Sequence, residues 1–199
     1  MSRIITTTVY TLNELSATAQ EKARDWYRQH HADSNWYENV YEDFRAVCDI
    51  FGIDLRQRVF RLSNGRFMEE PCIWFSGFCS QGDGACFEGS GTGSQRHPGK
   101  SGNMPRRTVN FIVSRMPCRR CRNVTSGSYR LKSVTGDSPV SQAMTADAEA
   151  AVSEALRDLA FWLYRQLENE YDWLTSDAAV DEALLINEYT FTEAGLRAG

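Results

Sequence analysis

The sequence predicts an α+β protein: a small antiparallel sheet, including a hairpin over residues 72–88, packed with amphipathic helices from the N-terminal and C-terminal parts of the chain. Three observations carry that expectation. Apolar residues recur at three- and four-residue steps in three segments, they alternate with polar residues over residues 53–62, and Asp83-Gly84 lies between two apolar runs. With 199 residues, 42% hydrophobic and 24% charged, the chain has material for a core, and its composition excludes collagen, coiled coil and wholesale disorder.

Residues 4–11 (IITTTVYT) are β-branched and read as a strand. Ser16 is a candidate N-cap for a helix in which Ala19, Ala23, Trp26, Tyr27 and His30 share a face, and the polar HHADSN stretch ends it. A second helix follows from the stripe Tyr37, Val40, Phe44, Val47, Cys48 and Phe51, stopped at Gly52, where a left-handed residue costs least. IDLRQRVFRL then reads as one half-buried strand and SNGRF as a turn. CIWFSGFCSQGDGACFEG reads as a hairpin turning at Gln81-Gly82-Asp83-Gly84. Thr145 is placed to cap a long helix with Val152, Leu156, Leu159, Leu163 and Leu167 inward and Phe161, Trp162, Tyr164 and Trp173 widening the buried face. Ser176 caps a last helix, and YTFT at 189–192 resembles VYTL near the start, so the two termini are expected to pair.

Charge divides the chain sharply. Net charge is −4, yet between Glu88 and Asp137 there is no acidic residue and there are ten basic ones. Codons chosen for residues 105–123 and read from the third base of each can spell PQDRELHRIADALQAVQKR, which has the apolar spacing, acidic start and basic end of an amphipathic helix. The expected organisation is therefore an N-terminal strand, two helices and hairpin over 1–89, a basic low-order insert over 90–136 translated out of frame, and C-terminal helices and a closing strand over 137–199 that complete the same domain.

Four stretches carry a resemblance: YTLNELSATAQEKARDWYRQ, WYENVYEDFRAVCDIFGIDL, FSGFCSQGDGACFEG, and residues 155–195 (ALRDLAFWLYRQLENEYDWLTSDAAVDEALLINEYTFTEAG). They resemble small proteins encoded by phages, prophages and related mobile elements, some of them loosely labelled antitoxins of a toxin–antitoxin stability system. The FSGFxSQGDGAxF string is the specific part, and residues 90–136 depart from the family. The resemblance implies an accessory protein of the bacterial cytoplasm acting on a host or toxin protein. It implies no catalytic residue.

Candidate chemistry is sparse. Cys118 and Cys121 have the spacing of half a zinc site, but neither a second tight cysteine pair nor a paired histidine accompanies them, so no metal and no cofactor is expected. Cys79 and Cys86 are expected as free, buried thiols in a reducing compartment. Asp83, lacking a second carboxylate partner, reads as a turn aspartate bonding its own backbone, and a hydrolase built on it is the weakest class. No nucleophile with a supporting base presents itself, and the expectation is a protein that is not an enzyme. Glu168, Glu170, Asp172, Asp177, Asp181 and Glu182 make the C-terminal helices acidic, a charge that suits docking on a basic partner. The candidate binding residues are Trp36, Glu42, Gln81, Asp83, Trp173 and Asp177. The alternative is a nucleic-acid-binding protein using Arg106, Arg107, Arg119, Arg120 and Arg122 of the basic block. No apolar run is long enough for a membrane span, and the N-terminal residues lack a signal-peptide pattern, so no membrane role is expected.

Overall fold

In a computed structural model, the structure describes residues 8–31, 34–80, 82–93, 107–114, 132–133 and 146–198. It is α+β, as the periodicities predict. The chain divides into two compact units: a terminal unit of Met1–Tyr37 with Asn169–Gly199, and a central unit of Glu38–Glu168.

The terminal unit begins at Tyr10, whose N–H and carbonyl exchange hydrogen bonds with Phe191 at 2.8 and 2.9 Å. The two ends of the chain thus meet, but only through a single isolated antiparallel bridge: neither residues 8–11 nor 189–192 form the strand expected of them, and the bridge belongs to no sheet. Residues 4–7 of the expected first strand lie outside the described residues. A short 3-10 turn, Leu12–Glu14, leads into α1, Ala17–His31. Ser16 Oγ accepts from the Ala19 N–H at 3.4 Å, the capping role its position suggested. α4, Asp177–Ile186, is capped in the same way by Ser176. Leu12, Leu15, Ala19 and Ala23 pack with Val180, Leu184 and Phe191, and Tyr10, Trp26, Tyr27 and Tyr189 border that core.

Ion pairs from the two ends of the sequence line the same seam. Arg24 makes a bidentate pair with Asp181, at 2.7 Å on both arms, and Arg28 donates to the Thr175 carbonyl at 2.9 Å and to Asp177. Both guanidinium pKa values are raised. For Arg24 the Asp181 hydrogen bonds lead; for Arg28 burial opposes the charge and the carboxylates of Glu21, Asp177 and Asp25 overcome it.

The central unit contains α2 (Glu38–Ile50), the strands β1 (Ile53–Leu55), β2 (Gln57–Arg61), β3 (Phe67–Pro71), β4 (Ile73–Phe75), β5 (Ala85–Gly93), β6 (Arg107–Ser114) and β7 (Lys132–Ser133), and α3 (Ala146–Leu174) as far as Glu168. β1, β5, β6 and β7 lie in that order with every described pairing antiparallel, and β4 also pairs with β5. β2 and β3 form a separate two-stranded ribbon. The end of β5, together with β6 and β7, falls in the basic segment 90–136, and the rest of that segment lies outside the described residues, as does Thr145. Val40, Phe44 and Cys48 of α2 are buried, and the Phe44 ring meets Phe87 of β5 edge-on at 5.0 Å. Burial, with the Asp49 charge adding to it, pushes the Cys48 thiol up to about 12.

Further sequence expectations need correction. The segment 53–62 is two strands in two sheets, because Arg56 between them bonds outside both strand pairings, its N–H donating to the Glu88 carbonyl and its carbonyl accepting from the Cys72 N–H. Phe51 is exposed, since α2 has ended at Ile50 and the chain turns away through Gly52 at φ +69°. On α3 the buried stripe is Ser153, Leu156, Ala160, Leu163 and Leu167. Val152 and Phe161 each sit one residue, about 100° of helix, off that stripe and are exposed, as is Trp173. Cys79 is exposed, whereas Cys48, Cys72 and Cys86 are buried free thiols.

Two glycines test this packing. Gly195 has φ +79°, and a Cβ there would stand 2.2 Å from the Ala19 carbonyl oxygen, whereas nothing lies within 4 Å of a Cβ at Gly52. Gly195→Ala is expected to destabilise the protein by more than about 2 kcal/mol and Gly52→Ala by only about 1 kcal/mol, the backbone penalty alone. Denaturant unfolding followed by tryptophan fluorescence measures both, and equal losses would refute the close approach at Ala19.

Candidate interaction surfaces

Residues 76–84 contain the most distinctive string of the sequence. Ser76 and Gly84 close the neck of the loop: Ser76 N–H donates to the Gly84 carbonyl at 3.0 Å, and Gly84 N–H to Ser76 Oγ at 3.0 Å. The expected tight turn at residues 81–84 is therefore a wider loop. Phe78 explains the difference, because its ring stacks on Phe75 at 5.8 Å and meets Tyr164 of α3 at 5.6 Å, drawing the loop over the helix. Asp83 Oδ2 accepts from the N–H groups of Cys79 at 3.0 Å and Ser80 at 2.7 Å, and from Ser80 Oγ at 2.9 Å. These bonds, the Ser80 backbone first, hold its carboxyl below the usual range. Asp83 thus organises its own loop, as a turn aspartate does. Gln81 lies outside the described residues.

A second surface was not read from the sequence. The ribbon β2–β3 turns through Ser63-Asn64-Gly65, with Gly65 at φ +82°, Leu62 N–H bonded to the Arg66 carbonyl at 2.8 Å and Arg66 N–H to Asn64 Oδ1 at 3.0 Å. Asn-Gly was the available hairpin signal. The second arm, FMEEP, lacked the alternation that would have completed it. In the register Arg61↔Phe67, Val59↔Glu69 and Gln57↔Pro71, these residues share one face. Val59 is 60% and Phe67 72% exposed there. The opposite face is anchored: Arg58 pairs with Glu70, and its guanidinium lies 5.8 Å from the Trp74 ring centre.

In the terminal unit, Trp36 is half-buried, with Tyr37 at 5.9 Å and Tyr171 at 5.7 Å between ring centres. Trp173, in the last turn of α3, is 60% exposed. The exposed side of α4 carries Glu182, Leu185 and Ile186. Asp177 is engaged by Arg28, with Arg24 3.9 Å away, so its charge serves the seam. Of the candidate residues, then, Trp36, Trp173 and Asp177 share the terminal unit. Glu42, exposed on α2, and Asp83 belong to the central unit. Arg107 is the first residue of β6, paired with Gly93, while Arg106, Arg119, Arg120 and Arg122 lie outside the described residues. So do Cys118 and Cys121. Among the described residues no group of three His, Cys, Asp or Glu is placed to hold a metal ion, and no helix is long and apolar enough to cross a membrane.

Because the Asp83 carboxyl is depressed, its pinning of the loop is present above the ordinary aspartate value of about 3.9 and is lost as pH falls through its lower folded value. The amide resonances of Cys79 and Ser80 are expected to titrate together in NMR spectra with a midpoint below that of a free aspartate, and Asp83→Ala to abolish the transition. A midpoint at or above the free value would contradict the geometry.

No curated protein and no solved structure matches the chain. A family model, described as a domain of unknown function (DUF8835), matches residues 36–177, a range that encloses the β2–β3 ribbon, the 76–84 loop and the basic segment. The chain belongs to that family.

Proposed function

We propose that this chain is a non-enzymatic phage or prophage accessory protein that binds a basic partner protein in the bacterial cytoplasm, in the manner of an antitoxin or a counter-defence protein. The observation that carries the binding reading is Trp173: a large aromatic side chain 60% exposed on a unit with eleven Asp and Glu against five Lys and Arg. An exposed tryptophan on an acidic unit suits a binding hot spot, because burial of its ring supplies affinity while carboxylates on the same unit speed and orient the encounter. Glu170 and Asp172 flank it on α3, and neither is engaged by the Arg24 and Arg28 pairs. The phage and antitoxin part of the reading rests on the sequence resemblance. The non-enzymatic part rests on Asp83, whose carboxylate is occupied by its own loop.

Full-length protein used as bait in host lysate at low salt is expected to retain one stoichiometric basic partner. Retention should weaken at least tenfold with Trp173→Ala and fall steeply as salt rises. Failure to recover any stoichiometric partner at low salt, or recovery that Trp173→Ala leaves untouched, would overturn the proposal.

A further inference from the structure

We infer that the exposed face of the β2–β3 ribbon is a self-association surface, where a second copy of this chain docks ribbon on ribbon about a two-fold axis. Pro71 closes one end of the face by being buried, and toward the Asn64-Gly65 turn the exposed part has four corners: Val59 and Phe67 lie on one diagonal, Arg61 and Glu69 on the other. All four are exposed, and among the described residues no salt bridge joins Arg61 or Glu69 to an opposite charge. Same-face neighbours along a strand stand about 7 Å apart, and paired strands about 5 Å apart. A two-fold axis laid along the apolar diagonal sets Phe67 on the partner's Phe67 and Val59 on the partner's Val59. The same rotation exchanges the charged corners, so each Arg61 meets the partner's Glu69, twice over.

That operation also crosses the strands of the two ribbons at about 70°, nearer to the orthogonal than to the aligned of the two arrangements in which sheets pack face to face. Other axes fit badly. One along the strands puts Val59 on the partner's Glu69; one along the charged diagonal puts arginine on arginine and glutamate on glutamate. A single-stranded nucleic acid would suit Arg61 and Phe67, but Glu69 stands among them on the same face and repels phosphate. The patch is far smaller than the 20–30 residues a side, roughly, of a standard interface, so the dimer belongs to the weak, concentration-dependent class. This surface is separate in sequence and in unit from Trp173, and its test stands apart from that of the partner-binding reading.

Sedimentation velocity on the full chain, from micromolar to millimolar concentration, reads the association directly. Wild type is expected to form dimers at the upper end. Phe67→Ser, Arg61→Glu and Glu69→Arg, each replacing an exposed side chain and checked as folded by circular dichroism, should each weaken dimerisation at least tenfold. An equimolar mixture of Arg61→Glu and Glu69→Arg chains should dimerise again, because each restores the opposite charges the other lacks, and the double variant should regain self-association. A monomer at every concentration, single charge reversals without effect, or a mixture that stays monomeric would overturn the inference. So would an oligo-thymidine strand that binds wild type and is lost with Phe67→Ser, since the face would then serve nucleic acid.

Discussion

The central unit depends on how one edge of β5 is shared. β4 occupies that edge at residues 85–87 and β1 at 89–91, and between them Glu88 is held from both sides. Arg56 N–H donates to the Glu88 carbonyl at 2.9 Å, Glu88 N–H donates to the Cys72 carbonyl at 2.9 Å, and Cys72 N–H donates to the Arg56 carbonyl at 2.7 Å. The Arg56 guanidinium adds a bond to the Glu88 carboxylate at 2.9 Å. This ring satisfies the backbone where β1 stops and β4 starts, and it leaves residues 57–71 no place on β5. They pair with each other and leave the sheet as the ribbon. The exposure of Val59 and Phe67 follows from the geometry of that junction.

The junction also separates two kinds of surface. Below it, β5 is buried on both sides: Phe87 faces Phe44 of α2, while Cys86 lies under Trp74. Beyond it, only one ribbon face is tied down, through Arg58, Glu70 and Trp74. The other carries hydrophobic area a folded chain ordinarily hides, together with one charge of each sign. A face of that composition suits a partner with the same pattern turned over.

The terminal unit uses a different constraint, closure of the sequence on itself. The Tyr10–Phe191 bridge, the Arg24–Asp181 pair and the approach of Gly195 to Ala19 each join residues more than 150 positions apart. Arg197 adds a cation over the Trp26 and Tyr189 rings at 5.0 Å. Part of the acidity read from the sequence is consumed here, since Asp177 and Asp181 neutralise Arg28 and Arg24. Glu170, Asp172 and Glu182 lie outside these pairs.

Local sequence by itself determined the helices, their caps at Ser16 and Ser176, the left-handed stop at Gly52, the β4–β5 hairpin and the role of Asp83. Each of these depends on a few neighbouring residues, and 3.6-residue or two-residue periodicity reports them directly. Tertiary structure decided which of two similar positions is covered. Val152 and Trp173 belong to the same apolar-rich helix as Leu163, yet only the residues on the stripe that meets a neighbour are buried. The split of 53–62 at Arg56 was equally hidden, because its cause lies at Cys72 and Glu88, hydrogen-bond partners 16 and 32 residues away in the chain. Alternation along a strand says which side chains share a face. It carries no information about whether another surface lies against that face, and so the exposure of Val59 and Phe67 on the ribbon became visible only in the fold.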